Sequence, residues 1–393
     1  MTSENSKYNI IVIGVSCFDG MASSTRMRNL LNPLIEKKRV DVSNLVFIKD
    51  SSGLTQKKGT LNAINYEVIG FRRSNPLSVF TFFWQGLNFI HQRKSRSAKN
   101  IIYNYDHPDV RTILFLMYAR LNGFKIVMDI VEDNRFTSTK TRLLTRIKIK
   151  SSLLFTKRPD YIADAVIAIS HHLYDVMNTA SKGNIPIHLI PITVDLKKFP
   201  QKPYHIPQHF KIFYGGSFGK KDGLHYLIKA FEIISQKYPN VDLILTGRGS
   251  AEDMKPINEL IKNFPFKERL HFKGYLSIDE YYETLNDCDI FCMTRIDSKF
   301  ANAGFPFKLG EFLSTGKAVI ATDVGDVSQF LQNNENALLI HPCSLDELVN
   351  SISSILENPE KIVCLGNKAR KTAEEYFDTE KVSLRVMEIF QKI

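Results

Sequence analysis

Short apolar runs alternate with amphipathic segments along the whole chain, and nearly every run ends in glycine or in small polar residues. In the first two hundred residues, the runs at 10–14, 45–48, 66–69, 101–104, 125–128 and 165–169 read as strands. Helical periodicity follows at about 26–37, at 77–92 and from near Asp109. Residues 200–208 carry Pro200, Pro203 and Pro207 without any periodicity, which reads as a linker. Beyond it the alternation resumes, with strands at 211–214, 241–245, 271–275, 289–293 and 318–321 and helices at 224–237, 344–356, 359–376 and 379–392. Strands that alternate with helices form parallel sheets covered on both faces. The pattern therefore predicts an α/β protein of two domains, residues 1–200 and 201–393, with the last helix crossing back to the first.

One stretch concentrates polar residues at the joints between elements. From Asn302 to Asp326 the chain reads NAGFPFKLGEFLSTGKAVIATDVGD: a Gly-Phe-Pro turn, a helix with one acid, a Thr-Gly stop, a buried strand and a polar loop. Such joints lie where an open α/β sheet binds ligands, outside the carboxyl ends of its strands. A carboxylate on that helix, Glu311, is placed to accept two hydrogen bonds from a vicinal diol such as ribose. The competing reading makes Glu311 a solvated acid on an amphipathic helix.

Composition narrows the picture. The chain has 393 residues with the apolar and charged fractions of a globular protein, and length alone favours two cores. The polar start MTSENSKY leads straight into an apolar strand and resembles no signal peptide. Cytoplasmic placement, peripheral on the inner face of the membrane, is the expectation. Cys17, Cys288, Cys292, Cys343 and Cys364 make neither a Cys-x-x-Cys pair nor a zinc-ligand spacing, and buried thiols are expected at Cys288 and Cys292. The net charge of +11 is uneven: residues 1–200 hold 29 Lys plus Arg against 15 Asp plus Glu, and the remainder holds 23 against 26. Excess positive charge in the first half points to an anionic partner, a membrane surface ahead of a nucleic acid, because no nucleic-acid recognition motif accompanies it.

The basic residues cluster. Residues 135–158 contain no acid, and Arg142, Arg146 and Lys150 recur every four residues. Residues 140–158 thus read either as a helix lying on anionic lipid or as a helix with a solvated charged face. Three acids, Asp129, Glu132 and Asp133, follow the strand at 125–128, and one of them is a candidate to assist an acceptor hydroxyl. Asp106 and His107, at the end of the strand at 101–104, are candidates to contact a ligand hydroxyl, against the alternative of a plain turn. The loop at 15–25, with Gly20, separates a strand from a helix in a layout that can aim backbone N–H groups at a phosphate. The same layout returns at 215–223, where Gly216, Ser217, Lys220 and Lys221 precede a helix. That loop reads as a diphosphate cradle, with backbone freed by glycine and charge supplied by lysine.

The stretch from Phe305 to Ile320 resembles the donor site of the retaining glycosyltransferases of family 4, which have the GT-B fold of two Rossmann-like domains facing each other across a cleft. Phe305, Pro306, Lys308, Leu309, Glu311, Gly316, Val319 and Ile320 match the second half of the family's signature, and Ala303 stands where its first Glu would be. A branch with a Phe-Pro-x-Lys-Leu-x-Glu core is similar. Family chains commonly carry Arg and Lys where this one has Ser217 and Asp222, so the resemblance shifts the diphosphate role to Lys221 or Lys220, with Lys221 favoured. It further implies donor contacts at Gly20, Gly216, Ser217, Arg248, Gly274 and Tyr275, the Tyr275 ring itself being structural. The implied function is transfer of a hexose-type residue from a nucleotide diphosphate sugar to a lipid-linked or saccharide acceptor, with retention and without metal or cofactor. A nucleotide-sugar epimerase on the same fold and a non-catalytic nucleotide-sugar-binding protein are the rival readings.

Overall fold

The computed structural model describes residues 7–18, 22–48, 57–70, 77–136, 150–153, 156–201 and 203–393. Gly20, and Lys140, Arg142, Arg146 and Lys148 of the basic segment, lie outside them. The chain forms two compact units, residues 1–191 with 379–393, and residues 192–378.

The first unit is built on an eight-stranded sheet: β1 (Tyr8–Ile13), β2 (Val40–Ile48), β3 (Lys58–Leu61), β4 (Ile64–Gly70), β5 (Lys99–Tyr105), β6 (Lys125–Ile130), β7 (Ala165–Ala168) and β8 (Ile187–Leu189). Their order is β3-β4-β2-β1-β5-β6-β7-β8, and among these pairings only β3 with β4 is antiparallel. The central strand β1 buries Ile10 to Ile13 completely, as a strand covered by helices on both faces must. The helix Thr379–Lys392 closes this unit: Thr379 donates to the Asn29 carbonyl, Lys37 pairs with Glu380, and Arg385 donates to the Leu189 carbonyl at 2.7 Å.

The second unit carries β9 (Phe210–Ser217), β10 (Val241–Arg248), β11 (Leu270–Phe272), β12 (Ile290–Met293), β13 (Ala318–Thr322) and β14 (Leu338–Ile340). All its pairs are parallel, in the order β11-β10-β9-β12-β13-β14. Numbered within the unit this is 3-2-1-4-5-6, the order of a doubly wound nucleotide-binding sheet. Cys288 and Cys292 are buried here, while Cys343 and Cys364 are exposed.

The units divide after Pro191, ahead of the boundary at residue 200 expected from the prolines. Packing explains the shift. The Ile192 side chain fills the space where Gly310 has none, and the Val194 amide donates to the Phe377 carbonyl at 2.8 Å. The Phe199 ring meets Tyr282 edge-on at 5.4 Å. Those residues are already part of the second core.

Candidate functional site

Strand order in the second sheet reverses between β9 and β12, which opens a crevice at their carboxyl ends. Leaving β9, the chain runs Gly215-Gly216-Ser217, and Gly216 is exposed with φ +132°. A side chain at Gly216 would start 3.2 Å from the Lys308 amine, so glycine keeps that amine open to the crevice. Gly223, at φ +65°, lets the turn before the Leu224–Lys237 helix touch the end of β12; a Cβ there would overlap the Thr294 carbonyl oxygen at 1.9 Å.

Four polar side chains converge behind Gly216. Asp222 is buried and accepts a hydrogen bond from the Ser217 hydroxyl. Its Oδ1 lies 3.7 Å from Lys308 Nζ and 3.9 Å from Arg295 Nε. Lys308 is buried, sits 4.0 Å over the Tyr214 ring, and has no hydrogen-bond partner for its ammonium among the described residues. Burial lowers its pKa to about 8 in spite of the attraction of Asp222. Lys221, half-buried, holds its ammonium 4.3 Å over the Phe300 ring, and Lys220 is exposed. Neither occupies the converging point. The two departures from the family pattern, Ser217 and Asp222, are thus bonded to each other, and the cations facing them come from Arg295 and Lys308. Arg295, just past the strand expected at 289–293, was given no role from the sequence, although two simultaneous departures five residues apart were a signal of compensation.

Glu311 stands one helical turn beyond Lys308 on the Phe307–Ser314 helix. Its carboxylate accepts bonds from Tyr281 at 2.8 Å and from Tyr282 at 3.4 Å. Desolvation outweighs both bonds and raises its pKa to about 7. Each carboxylate oxygen has two lone pairs, so both retain one for a ligand. At the ends of β10 and β11, the Gly247 amide and the Thr246 hydroxyl both donate to the Gly274 carbonyl at 2.8 Å. Arg248 lies 4.5 Å over the ring of Tyr275, which is 53% exposed. The Tyr275 ring is therefore outside the core: the Gly274 turn, at φ +66°, carries it outward under a guanidinium.

Phe305, Pro306, Leu309 and Ala303 are all buried. Phe305 is buried against Phe330 and Phe377, with ring centroids 5.3 Å and 5.9 Å away, and Leu309 is fully buried. Their side chains cannot reach a ligand. Pro306 is buried and its carbonyl accepts from the Leu309 amide at 3.0 Å. Ala303 is buried at the end of the short Lys299–Ala303 helix.

In the first unit the order reverses between β1 and β5, and Asp106 and His107 follow β5. Asp106 has φ +63°, and its amide donates to the Asp129 carbonyl at 2.7 Å. His107 is buried, with Nε2 3.0 Å from the Glu132 carbonyl and Nδ1 2.8 Å from the Thr156 hydroxyl. A carbonyl only accepts, so Nε2 carries the proton, and Nδ1 faces a hydroxyl that also reaches the Ser152 carbonyl at 2.9 Å. Burial lowers the His107 pKa to about 4. With both ring nitrogens engaged, His107 positions the turn and offers no base.

The acids after β6 separate by burial. Asp129 is fully buried in a two-pronged ion pair with Arg26, at 2.7 Å and 2.8 Å, and accepts from the Tyr103 hydroxyl. Arg26 also donates to the Pro191 and Ile190 carbonyls. Asp133 is bound by Arg135 at 2.6 Å and by His172 at 2.9 Å; burial alone would raise its pKa, but these bonds hold it well below the carboxylate range. Neither side chain is available to an acceptor hydroxyl.

Residues 197–372 match the family described as glycosyl transferases group 1. Among curated proteins, the chain is 24% identical over 156 residues to an uncharacterized glycosyltransferase of Haemophilus influenzae, covering 39% of this chain and 41% of that protein. It is 21% identical over 219 residues to the MMP alpha-(1->4)-mannosyltransferase of Mycolicibacterium hassiacum, covering 56% and 51%. The chain thus spans about half the length of these relatives. Among solved structures, HepE of Anabaena in complex with UDP-glucose superposes with a TM-score of 0.73 at 18% identity, covering 98% of this chain and 100% of that one. Sucrose-phosphate synthase from Thermosynechococcus elongatus gives 0.73 at 16% identity, with 98% of each chain covered. Two Rossmann-like sheets and a likeness of fold along nearly the whole chain give the GT-B fold, and within it residues 197–372 match the glycosyl transferases group 1 family.

Proposed function

We propose that this protein transfers a sugar from a nucleoside diphosphate sugar to an acceptor hydroxyl, with retention at the anomeric carbon. The observation that carries the reading is Lys308, a buried amine without a hydrogen-bond partner among the described residues, open past Gly216 at the strand-order reversal of the second sheet. A fixed cation in a low-dielectric crevice suits an arriving anion. Negative charge on the diphosphate grows as its bond to the sugar breaks, so such a cation favours the transition state over the ground state. Lys221, with Lys220 in a lesser part, adds charge from the loop. In this scheme the acceptor oxygen bonds the anomeric carbon, the carbon-to-phosphate-oxygen bond breaks, and the departing diphosphate takes the acceptor's proton.

At the nucleoside end Glu311 takes the ribose diol, while the Gly274 turn with Arg248 and Tyr275 takes the base. Uridine is the base to test first, since HepE on the same fold is seen with UDP and with UDP-glucose. Asp106 stays the candidate for a sugar hydroxyl in the first unit. The acceptor is lipid-linked or a saccharide, met at an anionic membrane through residues 140–158.

The test is incubation with a panel of nucleotide sugars, with and without a bacterial lipid extract. Acceptor-dependent release of nucleoside diphosphate, with the anomer of the product read by NMR, is the expected result. Conversion of the donor without acceptor would make the protein an epimerase. Binding without any turnover would make it a non-catalytic receptor.

A further inference from the structure

Two neighbouring helices of the first unit are apolar on their outward sides. In Val110–Leu121, the residues Val110, Leu114, Met117 and Leu121 recur at steps of four, three and four and are all exposed, Leu121 by 87%. The opposite face, with Phe115, Leu116 and Ala119, is buried. In Leu77–Gln92, the exposed residues Leu77 (76%), Phe80 (74%) and Trp84 (66%) lie three and four apart, opposite buried Phe82, Gly86 and Phe89. The two helices touch: Gly86 leaves room for the Phe115 ring, Phe83 lies tilted against that ring with centroids 5.7 Å apart, and Tyr118 reaches His91 at 3.5 Å. Lone exposed apolar residues are ordinary; seven on two adjoining helices are not.

Charge selects the occupant. Neither helix contains an acid. Between Glu67 and Asp106 there is none at all, against exposed Arg93, Lys94 and Arg96 just past the first helix. The second helix begins where the Val110 amide donates to Ser151, next to exposed Lys150, while Arg111 and Arg120 flank its stripe in pairs with Asp109 and Asp164. Against a second copy of the chain, these bases would face one another. Against acidic headgroups they meet opposite charge, with aromatic rings at the depth where amphipathic helices settle.

We propose that this two-helix face seats the first unit on an anionic lipid bilayer, Phe80, Trp84, Leu114 and Leu121 entering the interface. The surface consists of described residues and does not rest on the sugar-transfer reading.

Trp84 is the one tryptophan of the chain, so its emission reports on this face alone. The full chain is titrated with phosphatidylcholine vesicles and with vesicles containing phosphatidylglycerol, at low and high salt. A blue shift with acidic vesicles, quenched by lipids brominated on their acyl chains and reduced by salt, is expected. The exposed double variant Leu114→Ser, Leu121→Ser keeps Trp84 and should lower vesicle partitioning by about tenfold or more. Its nucleotide binding, measured in the same preparation, stays unchanged. No shift with acidic vesicles, or equal partitioning of wild type and variant, overturns the proposal. So does a shift that grows with protein concentration in the absence of lipid, which would assign the face to self-association.

Discussion

Lys308 Nζ and Asp222 Oδ1 stand 3.7 Å apart in the buried crevice of the second unit, close enough to balance charge and too far for a hydrogen bond. The pair is held on both sides, Asp222 by the Ser217 hydroxyl and Lys308 by the Tyr214 ring.

Asp222→Asn should therefore be strongly destabilising, because it removes the carboxylate that faces buried Lys308 and Arg295. A loss of about 3–5 kcal/mol is expected for breaking such a cluster from one side. Urea unfolding of variant and wild type measures it. A loss below about 1 kcal/mol would show that solvent already screens the two cations.

Nucleotide affinity should depend on pH at two points. Glu311, raised to about 7, binds diol hydroxyls best as a carboxylate, so affinity rises as pH climbs through 7. Lys308, lowered to about 8, holds an anion only while protonated, so affinity falls above 8. Calorimetric titration of UDP between pH 5.5 and 9.5 should give a maximum between those limits. Stability follows a different course. Between the unfolded Glu value and 7 the folded state keeps a proton that the unfolded chain has lost, so Glu311 makes stability fall with rising pH. Between 8 and the unfolded Lys value the unfolded chain binds the extra proton, so Lys308 makes stability rise.

Glu311→Ala should weaken nucleotide binding by about 1.5–3 kcal/mol, the worth of hydrogen bonds to a charged group. Tyr281→Phe and Tyr282→Phe remove bonds that lower the Glu311 pKa, so each should move the lower limb of the pH profile upward. Unchanged affinity in Glu311→Ala would remove this carboxylate from the site.

Lys221→Ala should reduce turnover more than it raises the donor constant, since its charge matters most to the departing diphosphate. Lys220→Ala should have the smaller effect. Steady-state kinetics on both variants with the active donor decides the order.

In the first unit, Asp129→Ala should lower stability by about 3–5 kcal/mol, because Arg26 would stay buried with only two carbonyls to bind. Donor affinity should be unaffected, which separates a structural acid from one that meets substrate. Thermal unfolding with and without UDP distinguishes the two.

Much of the fold was legible because strands of a covered parallel sheet are continuous apolar runs, as at Ile10–Ile13 and Ala318–Ala321, and because glycines marked their ends. The strand β3 was not. It lies on a sheet edge with alternating exposure, and its turn to β4 is made by Asn62 and Ala63, both at positive φ, where Asn-Gly would have announced it. Glu311, Lys308 and the loop at 215–223 were legible as candidates from local pattern. Their partners were not, because Tyr281, Tyr282 and Arg295 reach them from other elements, and no periodicity links residues brought together by a sheet. Burial of Asp129 was hidden for a related reason: a carboxylate after a strand looks the same whether it meets water or an arginine from a helix a hundred residues earlier.

The return of the chain from the second unit, beside the segment by which it entered, also bears on how the protein comes off the ribosome. The entering segment at Val194 and the leaving segment at Asp378 are bridged side by side, so residues 192–378 form a loop-out with its own closed base. The first unit is begun before that loop-out and sealed only when Thr379–Lys392 lies down beside Ala22–Glu36. Synthesis in order therefore delivers the later-encoded unit complete while the earlier one still lacks a helix, and a chain arrested before residue 379 leaves apolar surface of the Ala22–Glu36 helix uncovered for a chaperone to meet.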